Sequence, residues 1–232
     1  MAKDFILQDK TDQADDYNER GISYFNLTKY PDAIQQFTKA IKINGNDPDY
    51  YFNRGLAYYS MKMLDQAISD YRKAIELNPD HADYHNAVGS ALEDRGDIEE
   101  ALDEFNEAVK IEADVPDFYY NRGNVFWKLK KFDEAMRDYG KAVDLNSADQ
   151  IFIFKRYQAY LALNDYDNAL KDIDMALKLV PEGYLYKIEK ANLLVKMSRR
   201  EEAIKLLASA KESAPDATVI QDRIDEIMAG KP

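Results

Sequence analysis

Apolar residues along this chain recur at steps of three and four, the spacing of one face of an α-helix. The pattern comes in paired segments, and each pair is joined by a short polar stretch such as Arg95-Gly96-Asp97. Pro31 lies near the start of one segment, where its missing N–H costs little, and Pro79 and Pro181 end others. The pattern therefore predicts pairs of antiparallel helices joined by tight turns, without β-strands.

The helical pairs repeat every 34 residues, and two alanine positions show this most clearly. Counting from Ala14, position 20 is Ala33, Ala67, Ala101, Ala135, Ala169 and Ala203, and position 27 is Ala40, Ala74, Ala108, Ala142, Ala176 and Ala210. The six repeats are 14–47, 48–81, 82–115, 116–149, 150–183 and 184–217. One hairpin cannot bury its apolar face alone, so we expect the repeats to stack into a solenoid with these alanines buried.

Two further positions describe the contacts that we expect between helices. Position 8 is Gly21, Gly55, Gly89 and Gly123, and position 24 is Phe37, Tyr71, Phe105, Tyr139, Ile173 and Leu207. We expect the glycine to let the first helix of a repeat approach its neighbouring repeat, and the large residues to fill the remaining space. The pattern is broken by Tyr157 at position 8 and by Arg200, Lys211 and Ser213 at positions that are otherwise apolar.

Repeat 2 carries a complete signature, which consists of Tyr51, Gly55, Tyr58, Ala67, Tyr71, Ala74 and Pro79. In these residues the chain resembles the tetratricopeptide repeat family, over about nine-tenths of its length. The resemblance implies an all-α fold, in which six helix-turn-helix hairpins form a right-handed superhelix with a concave groove. It specifies no particular partner, since the family binds many different proteins.

The two ends of the chain lie outside the six repeats. Residues 1–13 show no matching periodicity, although they include Phe5-Ile6-Leu7, and we expect a loose N-terminal tail. Residues 218–232 contain one apolar stripe, which predicts a helix that caps repeat 6. The stripe consists of Val219, Ile220, Ile224, Ile227 and Met228.

Composition narrows the range of functions. The chain has no cysteine and only two histidines, which argues against disulfides, thiolate metal sites, a cofactor and an enzyme. Its net charge of −12 disfavours nucleic acid and anionic membranes as partners. No apolar run approaches the ~18 residues of a membrane span, and the N-terminus does not resemble a secretory signal. These features favour a non-enzymatic cytoplasmic protein.

His81 and His85 form the one pattern that suggests a metal site, because two histidines at i and i+4 can share a zinc ion. Metal binding or catalysis through this pair is a remote alternative. His85 occupies position 4, which is Tyr17, Tyr51 and Tyr119 in other repeats, so a structural role is favoured.

The family resemblance implies that positions 2, 5, 9, 12 and 13 face the groove. Aromatic side chains there would anchor a peptide, amides would pair with its backbone, and aspartates would select basic residues. Alternatively, the aromatic side chains fill space between repeats and the aspartates complement helix dipoles. The predicted groove residues are Asn18, Phe25, Asp49, Phe52, Tyr59, Asp83, Asn86, Asp117, Tyr120, Asn124, Trp127, Phe154 and Gln158.

Charge is concentrated in repeat 3, which carries eleven acids and two bases, whereas repeat 6 carries five acids and seven bases. An outward acidic patch is predicted at Glu99, Glu100, Asp103, Glu104 and Glu107. It is either a solvated face or a contact surface for a basic partner. We expect a monomeric scaffold that binds a basic peptide with apolar anchors. The alternative is a structural protein that self-assembles, weakly and in a salt-sensitive way, through repeats 3 and 6.

Overall fold

A computed structural model describes residues 2–211, 214 and 217–230, with side chains from Thr11 onward. Ser213 lies outside the described residues. That part of the chain contains thirteen α-helices and no β-strand. The helices are α1 Ala2–Asn26, α2 Tyr30–Ile43, α3 Pro48–Ser60, α4 Leu64–Leu77, α5 Ala82–Arg95, α6 Ile98–Ile111, α7 Pro116–Lys128, α8 Phe132–Leu145, α9 Gln150–Ala162, α10 Tyr166–Leu179, α11 Tyr184–Lys196, α12 Arg200–Ala210 and α13 Ala217–Met228.

The chain divides into two compact units, Met1–Asn121 and Arg122–Pro232, and the division falls within α7. In the first unit α1 packs on α2, α3 on α4 and α5 on α6, while contacts of α2 with α3 and of α4 with α5 join successive hairpins. In the second unit α8 to α13 pack in the same consecutive order. Each unit is a stack of helical hairpins, so the prediction of an all-α repeat solenoid is confirmed.

The twelve repeat alanines are all buried. From Ala33 to Ala210, every alanine at positions 20 and 27 is 0% exposed. In repeat 1, Ala33 packs with Phe37 and Ala57, and in repeat 6 Ala210 packs with Leu207. A methyl side chain lets two helix backbones approach while larger neighbours fill the space beside it. The predicted burial of these positions is confirmed.

The position-8 glycines lie against the aromatic ring at position 24 of the same repeat. A Cβ atom on Gly55 would lie 2.5 Å from Cε1 of Tyr71, and one on Gly21 would lie 2.4 Å from Cε1 of Phe37. No side chain fits at such distances, so glycine is what allows the two helices of one hairpin to pack around the ring. The expectation that this glycine serves the contact between neighbouring repeats is wrong.

Repeat 5 reverses this arrangement of small and large residues. Tyr157 occupies the glycine position and Ile173 occupies the aromatic position, and both are buried in one cluster with Ala169. The Tyr157 hydroxyl donates a hydrogen bond to the carbonyl oxygen of Glu189, 3.2 Å away. In repeat 5 the aromatic ring is on the first helix of the hairpin instead of the second, and the interior is filled in both arrangements. The break in the sequence pattern is thus compensated within its own repeat.

The turn inside each hairpin contains one residue in the left-handed conformation, at position 15. The φ angle is +58° at Thr28 and +100° at Gly96, and the other four residues are Lys62, Lys130, Asn164 and Ser198. The left-handed residue reverses the chain direction, so that the N–H of the next residue donates a hydrogen bond to a carbonyl oxygen in the last turn of the preceding helix. In repeat 1, Lys29 N–H donates to the carbonyl oxygen of Tyr24 at 2.9 Å. Gly96 is the only glycine among the six residues.

The N-terminus is helical rather than loose, so the expectation for residues 1–13 is wrong from Ala2 onward. Helix α1 runs from Ala2 through Ala14 into repeat 1. The segment between these two alanines contains no proline or glycine, so nothing in its sequence interrupts a helix that the repeat continues.

At the other end of the chain, α13 caps the second unit as predicted. Ile220, Ile224 and Ile227 are buried against apolar residues of α11 and α12. Val219 and Met228 belong to the predicted stripe, but the structure leaves them 60% and 70% exposed, so this part of the prediction is wrong. Each is one residue away from the buried series, and one residue turns a helix by about 100°. These two side chains therefore point away from the core.

Three repeats hold a buried ion pair between their two helices, at Arg54–Asp70, Arg122–Asp138 and Arg156–Asp172. In repeat 5 the Nε and Nη2 atoms of Arg156 donate to the two carboxylate oxygens of Asp172, at 2.9 and 2.7 Å. The Asp172 side chain is only 3% exposed. An arginine that donates two hydrogen bonds to one carboxylate has a well-defined geometry. Each pair therefore constrains how its two helices pack and also stabilises their contact.

Candidate functional site

Residues of α3, α4 and α5 enclose a depression of about 270 Å³ on the first unit. It is lined by Phe52, Leu56, Tyr59, Tyr71, Asp83, Asn86, Ala87 and Ser90. Four of these are predicted groove residues: Phe52, Tyr59, Asp83 and Asn86. The structure brings these four together in one concavity with apolar walls and a few polar groups, the composition of many ligand sites.

The two aromatic walls of this depression are held in place by their neighbours. The Phe52 ring centroid lies 4.9 Å from that of Tyr84. The Tyr59 hydroxyl donates to Oδ2 of Asp94 at 2.9 Å, and the Lys62 ammonium lies 3.0 Å from the same oxygen. Burial and the hydrogen bond to Asp94 raise the pKa of Tyr59 to about 12. Tyr59 therefore remains a neutral donor at physiological pH, and its ring is fixed before any ligand binds.

The position-2 aspartates of the first two repeats are bound by the following repeat. The Tyr50 hydroxyl donates to Asp15, and the Tyr84 hydroxyl donates to Asp49. Burial and these hydrogen bonds raise the pKa of both tyrosines well above the usual range, so both hydroxyls keep their protons. Asp49, a predicted groove residue, thus has a structural partner between repeats.

Asp83 has no such tyrosine opposite it. The corresponding residue of the next repeat is Phe118, which has no hydroxyl. The Asp83 side chain is 59% exposed at the edge of the depression, and Nδ1 of His81 lies 3.9 Å from its carboxylate. A carboxylate in this position can accept hydrogen bonds from a ligand. Asp117 is exposed as well.

The predicted asparagines Asn18 and Asn86 form a second set of contacts between repeats. Nδ2 of Asn53 donates to Oδ1 of Asn18 at 3.0 Å, and Nδ2 of Asn121 donates to Oδ1 of Asn86 at 2.9 Å. Each pair joins position 5 of one repeat to position 6 of the next. Part of the hydrogen-bonding capacity of these amides is therefore used within the protein.

The remaining predicted groove residues make separate contacts. They are Phe25 and Tyr120 in the first unit and Asn124, Trp127, Phe154 and Gln158 in the second. Phe25 packs on Tyr30, with 5.4 Å between ring centroids, and Trp127 meets Phe132 edge-on at 5.0 Å. Oδ1 of Asn124 accepts a hydrogen bond from the Tyr139 hydroxyl at 3.0 Å. Tyr120 and Gln158 are half-buried, and Phe154 lines a depression of the second unit.

Glu104 does not belong to the outward acidic patch, so this part of the prediction is wrong. It occupies position 23, where Asp70 of repeat 2 faces the first helix of its hairpin. Repeat 3 has Val88 in place of the arginine, and His85 serves as the partner instead: Nδ1 of His85 lies 2.8 Å from Oε2 of Glu104. The side chains of His85 and Glu104 are 12% and 23% exposed.

The other four acidic residues of this patch do face outward. They are Glu99, Glu100, Asp103 and Glu107. Glu100 forms an ion pair with Arg72 of α4 at 3.0 Å, and Glu107 forms one with Lys110 at 2.8 Å. Part of the charge is thus neutralised by neighbours, which favours a solvated face.

The two histidines make separate contacts. His81 stacks on Tyr84 with 4.1 Å between ring centroids, whereas His85 turns towards Glu104 of α6. Among the described side chains, no group of three or more histidine, aspartate or glutamate residues could hold a metal ion.

A larger concavity of the second unit was missed by sequence reasoning. It measures about 460 Å³, and its lining includes Tyr157, Lys196, Arg200 and Arg223. A signal was present in the sequence, because Tyr157 and Arg200 both break the repeat pattern. These breaks suggested only irregular packing, since their proximity depends on how α9 and α12 lie in the folded unit.

The repeat, the helical hairpins and the concave surfaces define a class of α-solenoid repeat proteins. Sequence models of the tetratricopeptide repeat match residues 48–81 and 116–149, residues 70–103 and residues 154–218. A further TPR repeat model matches residues 21–62 and 89–130. The chain belongs to the tetratricopeptide repeat family. Comparison with the sequences of curated proteins gives no significant match.

Solved structures of other repeat proteins share this fold. YrrB, described as a TPR protein with an unusual peptide-binding site, is 26% identical, with a TM-score of 0.69 over 81% of this chain and 96% of YrrB. PilF of Pseudomonas aeruginosa is 20% identical, with a TM-score of 0.74 over 93% of this chain and 99% of PilF. The C-terminal part of a TPR protein of Cytophaga hutchinsonii is 21% identical, with a TM-score of 0.75 over 84% and 78% of the two chains.

Family membership and shared fold support a protein–protein interaction scaffold, in agreement with the broad prediction from sequence. Among the described residues, no helix has the length and apolar character needed to cross a membrane.

Proposed function

We propose that this chain is a non-enzymatic scaffold that binds a segment of a partner protein at the depression between α3 and α5. The observation that carries the proposal is the exposed carboxylate of Asp83 beside the aromatic walls of Phe52 and Tyr59. Aromatic walls favour an apolar anchor, and a carboxylate favours lysine or arginine. The preferred segment therefore carries a basic residue next to an apolar one.

Charge across the first unit supports a basic partner. Met1–Asn121 contains 25 aspartates and glutamates against 12 lysines and arginines, a net charge of −13, whereas Arg122–Pro232 contains 18 against 19, a net charge of +1. A surface of one sign raises the association rate of an oppositely charged ligand. The same field disfavours nucleic acid and anionic lipid. The lack of cysteine fits a reducing compartment, and we place the scaffold in the cytoplasm.

The peptide-binding site named for YrrB gives a precedent for peptide recognition by a similar chain. To test the proposal, random dodecapeptides displayed on phage are selected against the full chain, and the affinity of one enriched peptide is measured by fluorescence anisotropy. We expect one class of enriched peptides to contain lysine or arginine beside phenylalanine, leucine or tyrosine, and the affinity is measured for a peptide of this class. Asp83→Asn should weaken binding about tenfold, as expected when a charged hydrogen bond is lost.

Two variants provide the controls for this experiment. Asp32→Asn removes the same charge from an exposed position on α2 and should leave the affinity unchanged. Tyr59→Phe keeps the aromatic wall and should bind more tightly than Tyr59→Ala. The site is elsewhere if Asp83→Asn and Tyr59→Ala both bind the peptide as tightly as the parent chain.

A further inference from the structure

The 460 Å³ pocket of the second unit lies where the two breaks of the repeat pattern meet. Tyr157 of α9 replaces the usual glycine, and Arg200 of α12 replaces an apolar residue. The remaining lining comes from α9, α11 and α13 and consists of Leu161, Glu189, Asn192, Leu193, Val195, Lys196 and Arg223. Two departures from a regular pattern therefore contribute to one concave surface.

Three cations from three different helices line this pocket. Lys196 alone could be explained by its place at the C-terminal end of α11, where a cation complements the helix dipole. Arg200 and Arg223, however, come from α12 and α13 and lie on the same pocket. Among the lining residues that the structure describes, Glu189 is the only carboxylate, and it accepts a hydrogen bond from the Tyr157 hydroxyl at 3.3 Å. The pocket therefore carries a net positive charge.

The internal contacts of these cations leave part of this charge uncompensated. Arg223 is held by Asn192 and Glu226, both at 2.9 Å, which fixes its guanidinium. Arg200 donates to the uncharged carbonyl oxygen of Gly230 at 3.2 Å. Within the described part of the chain, neither Arg200 nor Lys196 forms an ion pair. An anionic ligand could pair with both at little cost in rearrangement.

An exposed apolar stripe runs across the same unit. Ile151, Leu185 and Val219 are spaced by 34 residues and are 58%, 60% and 60% exposed. They share position 2, so α13 stands where a seventh repeat would place its first helix. Beside the stripe lies a depression of about 470 Å³, lined by Phe154, Gly183, Tyr184, Leu185, Tyr186, Ile188 and Glu189. The first four repeats have aspartate at position 2, so this apolar stripe is particular to the second unit.

The stripe and the cationic pocket lie on one face of α11. Leu185, Glu189 and Asn192 follow one another at steps of four and three, and a further step of four leads to Lys196. Lys196 lies eleven helical steps beyond Leu185, a rise of about 16 Å at 1.5 Å per residue. An extended peptide covers that distance with roughly five residues.

We propose that the second unit binds a peptide segment that carries apolar side chains at one end and a carboxylate about five residues away. The apolar end packs on Ile151, Leu185 and Val219, and the carboxylate pairs with Lys196 and Arg200. This site goes beyond the function proposed above, because all its residues lie in Arg122–Pro232 and its ligand has the opposite charge. The scaffold would then hold two segments of different chemistry.

The test uses three fluorescein-labelled peptides on the full chain, with binding followed by anisotropy. The first is Leu-Phe-Ser-Gly-Ser-Glu-Glu with fluorescein on its N-terminus and an amide at its C-terminus. The second has glutamine in place of both glutamates and therefore no carboxylate in the peptide, and the third has serine in place of leucine and phenylalanine. We expect the first peptide to bind at least about tenfold more tightly than either of the others. Backbone amide shifts in a ¹⁵N-labelled chain should change along α11 and α13.

The charge-reversed variant Lys196→Glu/Arg200→Glu should lose this preference for the acidic peptide. Its matched control is Lys178→Glu/Lys205→Glu, which makes the same charge change at exposed lysines of α10 and α12 and should keep the preference. Asp83→Asn should leave binding of the acidic peptide unchanged, which separates this site from the one on the first unit. Equal binding of the acidic and glutamine peptides, equal effects of the two charge-reversed variants, or amide shifts confined to α3–α5 would each overturn the proposal.

Discussion

Nδ1 of His85 lies 2.8 Å from Oε2 of Glu104 on the facing helix of the same hairpin. The other ring nitrogen, Nε2, lies 3.2 Å from the carbonyl oxygen of Pro79. Both neighbours are acceptors, so only the protonated imidazolium, with an N–H on each nitrogen, can donate to both. The pKa of His85 is raised, mainly by the hydrogen bond to Glu104. Burial lowers this pKa, whereas the hydrogen bond to Pro79 and the charge of Glu107 raise it further. Repeat 3 thus holds its helices with a pair that titrates, where neighbouring repeats use arginine.

The first unit should therefore lose stability as the solution becomes alkaline. The contribution of His85 is fully present below its unfolded-state pKa of about 6.5, and it is lost as the pH rises through the raised folded-state pKa. Urea unfolding followed by circular dichroism between about pH 6 and 9, together with NMR titration of the imidazole, would measure this loss.

Two variants identify the source of this pH dependence. His85→Tyr introduces the residue type found at position 4 of repeats 1, 2 and 4 and should flatten the dependence. His81→Gln is the matched control, because His81 stacks on Tyr84 away from Glu104 and its replacement leaves the His85–Glu104 pair in place. An imidazole of His85 that titrates below its usual range would contradict the prediction.

Removing one partner of a buried ion pair should strongly destabilise its repeat. Arg156→Met leaves the carboxylate of Asp172, 3% exposed, without its two donors, and should cost about 3–5 kcal/mol in the free energy of unfolding. The double variant Arg156→Met/Asp172→Leu removes both charges and should recover most of that loss. Chemical denaturation of the single and double variants gives both values. A single variant as stable as the parent would show that the pair is not a significant constraint.

Gly55→Ala should destabilise repeat 2 by roughly 1–3 kcal/mol, because the added methyl group would lie 2.5 Å from the Tyr71 ring. The chain itself suggests the rescue, since repeat 6 combines Ala191 with Leu207 at these two positions. In Gly55→Ala/Tyr71→Leu the loss of unfolding free energy should therefore be smaller than the sum of the losses in the two single variants. Thermal unfolding of all three variants measures this coupling, and strict additivity would argue against direct contact.

The repeat period explains why so much of the fold could be predicted. Alanines at two fixed positions identify the hairpins, and helix α6 between Ile98 and Ile111 follows directly from its apolar spacing. The contacts of individual side chains could not be predicted in the same way. In the sequence, Glu104 cannot be told apart from the exposed Glu100, because both lie among acidic residues of α6. Only the structure shows that His85 of the facing helix contacts Glu104 and leaves it half-buried. Likewise, nothing near Asp83 in sequence shows that Phe118 leaves it without a hydroxyl.

The turns offer a route to greater stability. Thr28 has a φ of +58°, a left-handed conformation that is costly for a β-branched residue, and its side chain is exposed. Thr28→Gly should stabilise the chain by about 0.5–1.5 kcal/mol. Gly96→Ala provides the reverse test: apart from Gly96 and its two chain neighbours, no described atom lies within 4 Å of the added Cβ, so any loss of stability comes from the backbone conformation. Differential scanning calorimetry of both variants should show shifts of opposite sign.

Charge favours a monomer at low salt over assembly through repeats 3 and 6. Each copy carries −12 in total, and the second unit carries only +1 with which to attract the −13 of another copy. Long-range electrostatic repulsion between two copies therefore exceeds their attraction. This repulsion weakens as added salt shortens the screening length, which is about 8 Å at 0.15 M. Sedimentation velocity at low ionic strength should show a single monomeric species, and Glu99→Lys/Asp103→Lys should not change it. Oligomers that form at low salt, dissociate as salt rises and disappear in this double variant would instead establish that the acidic patch joins two copies of the chain.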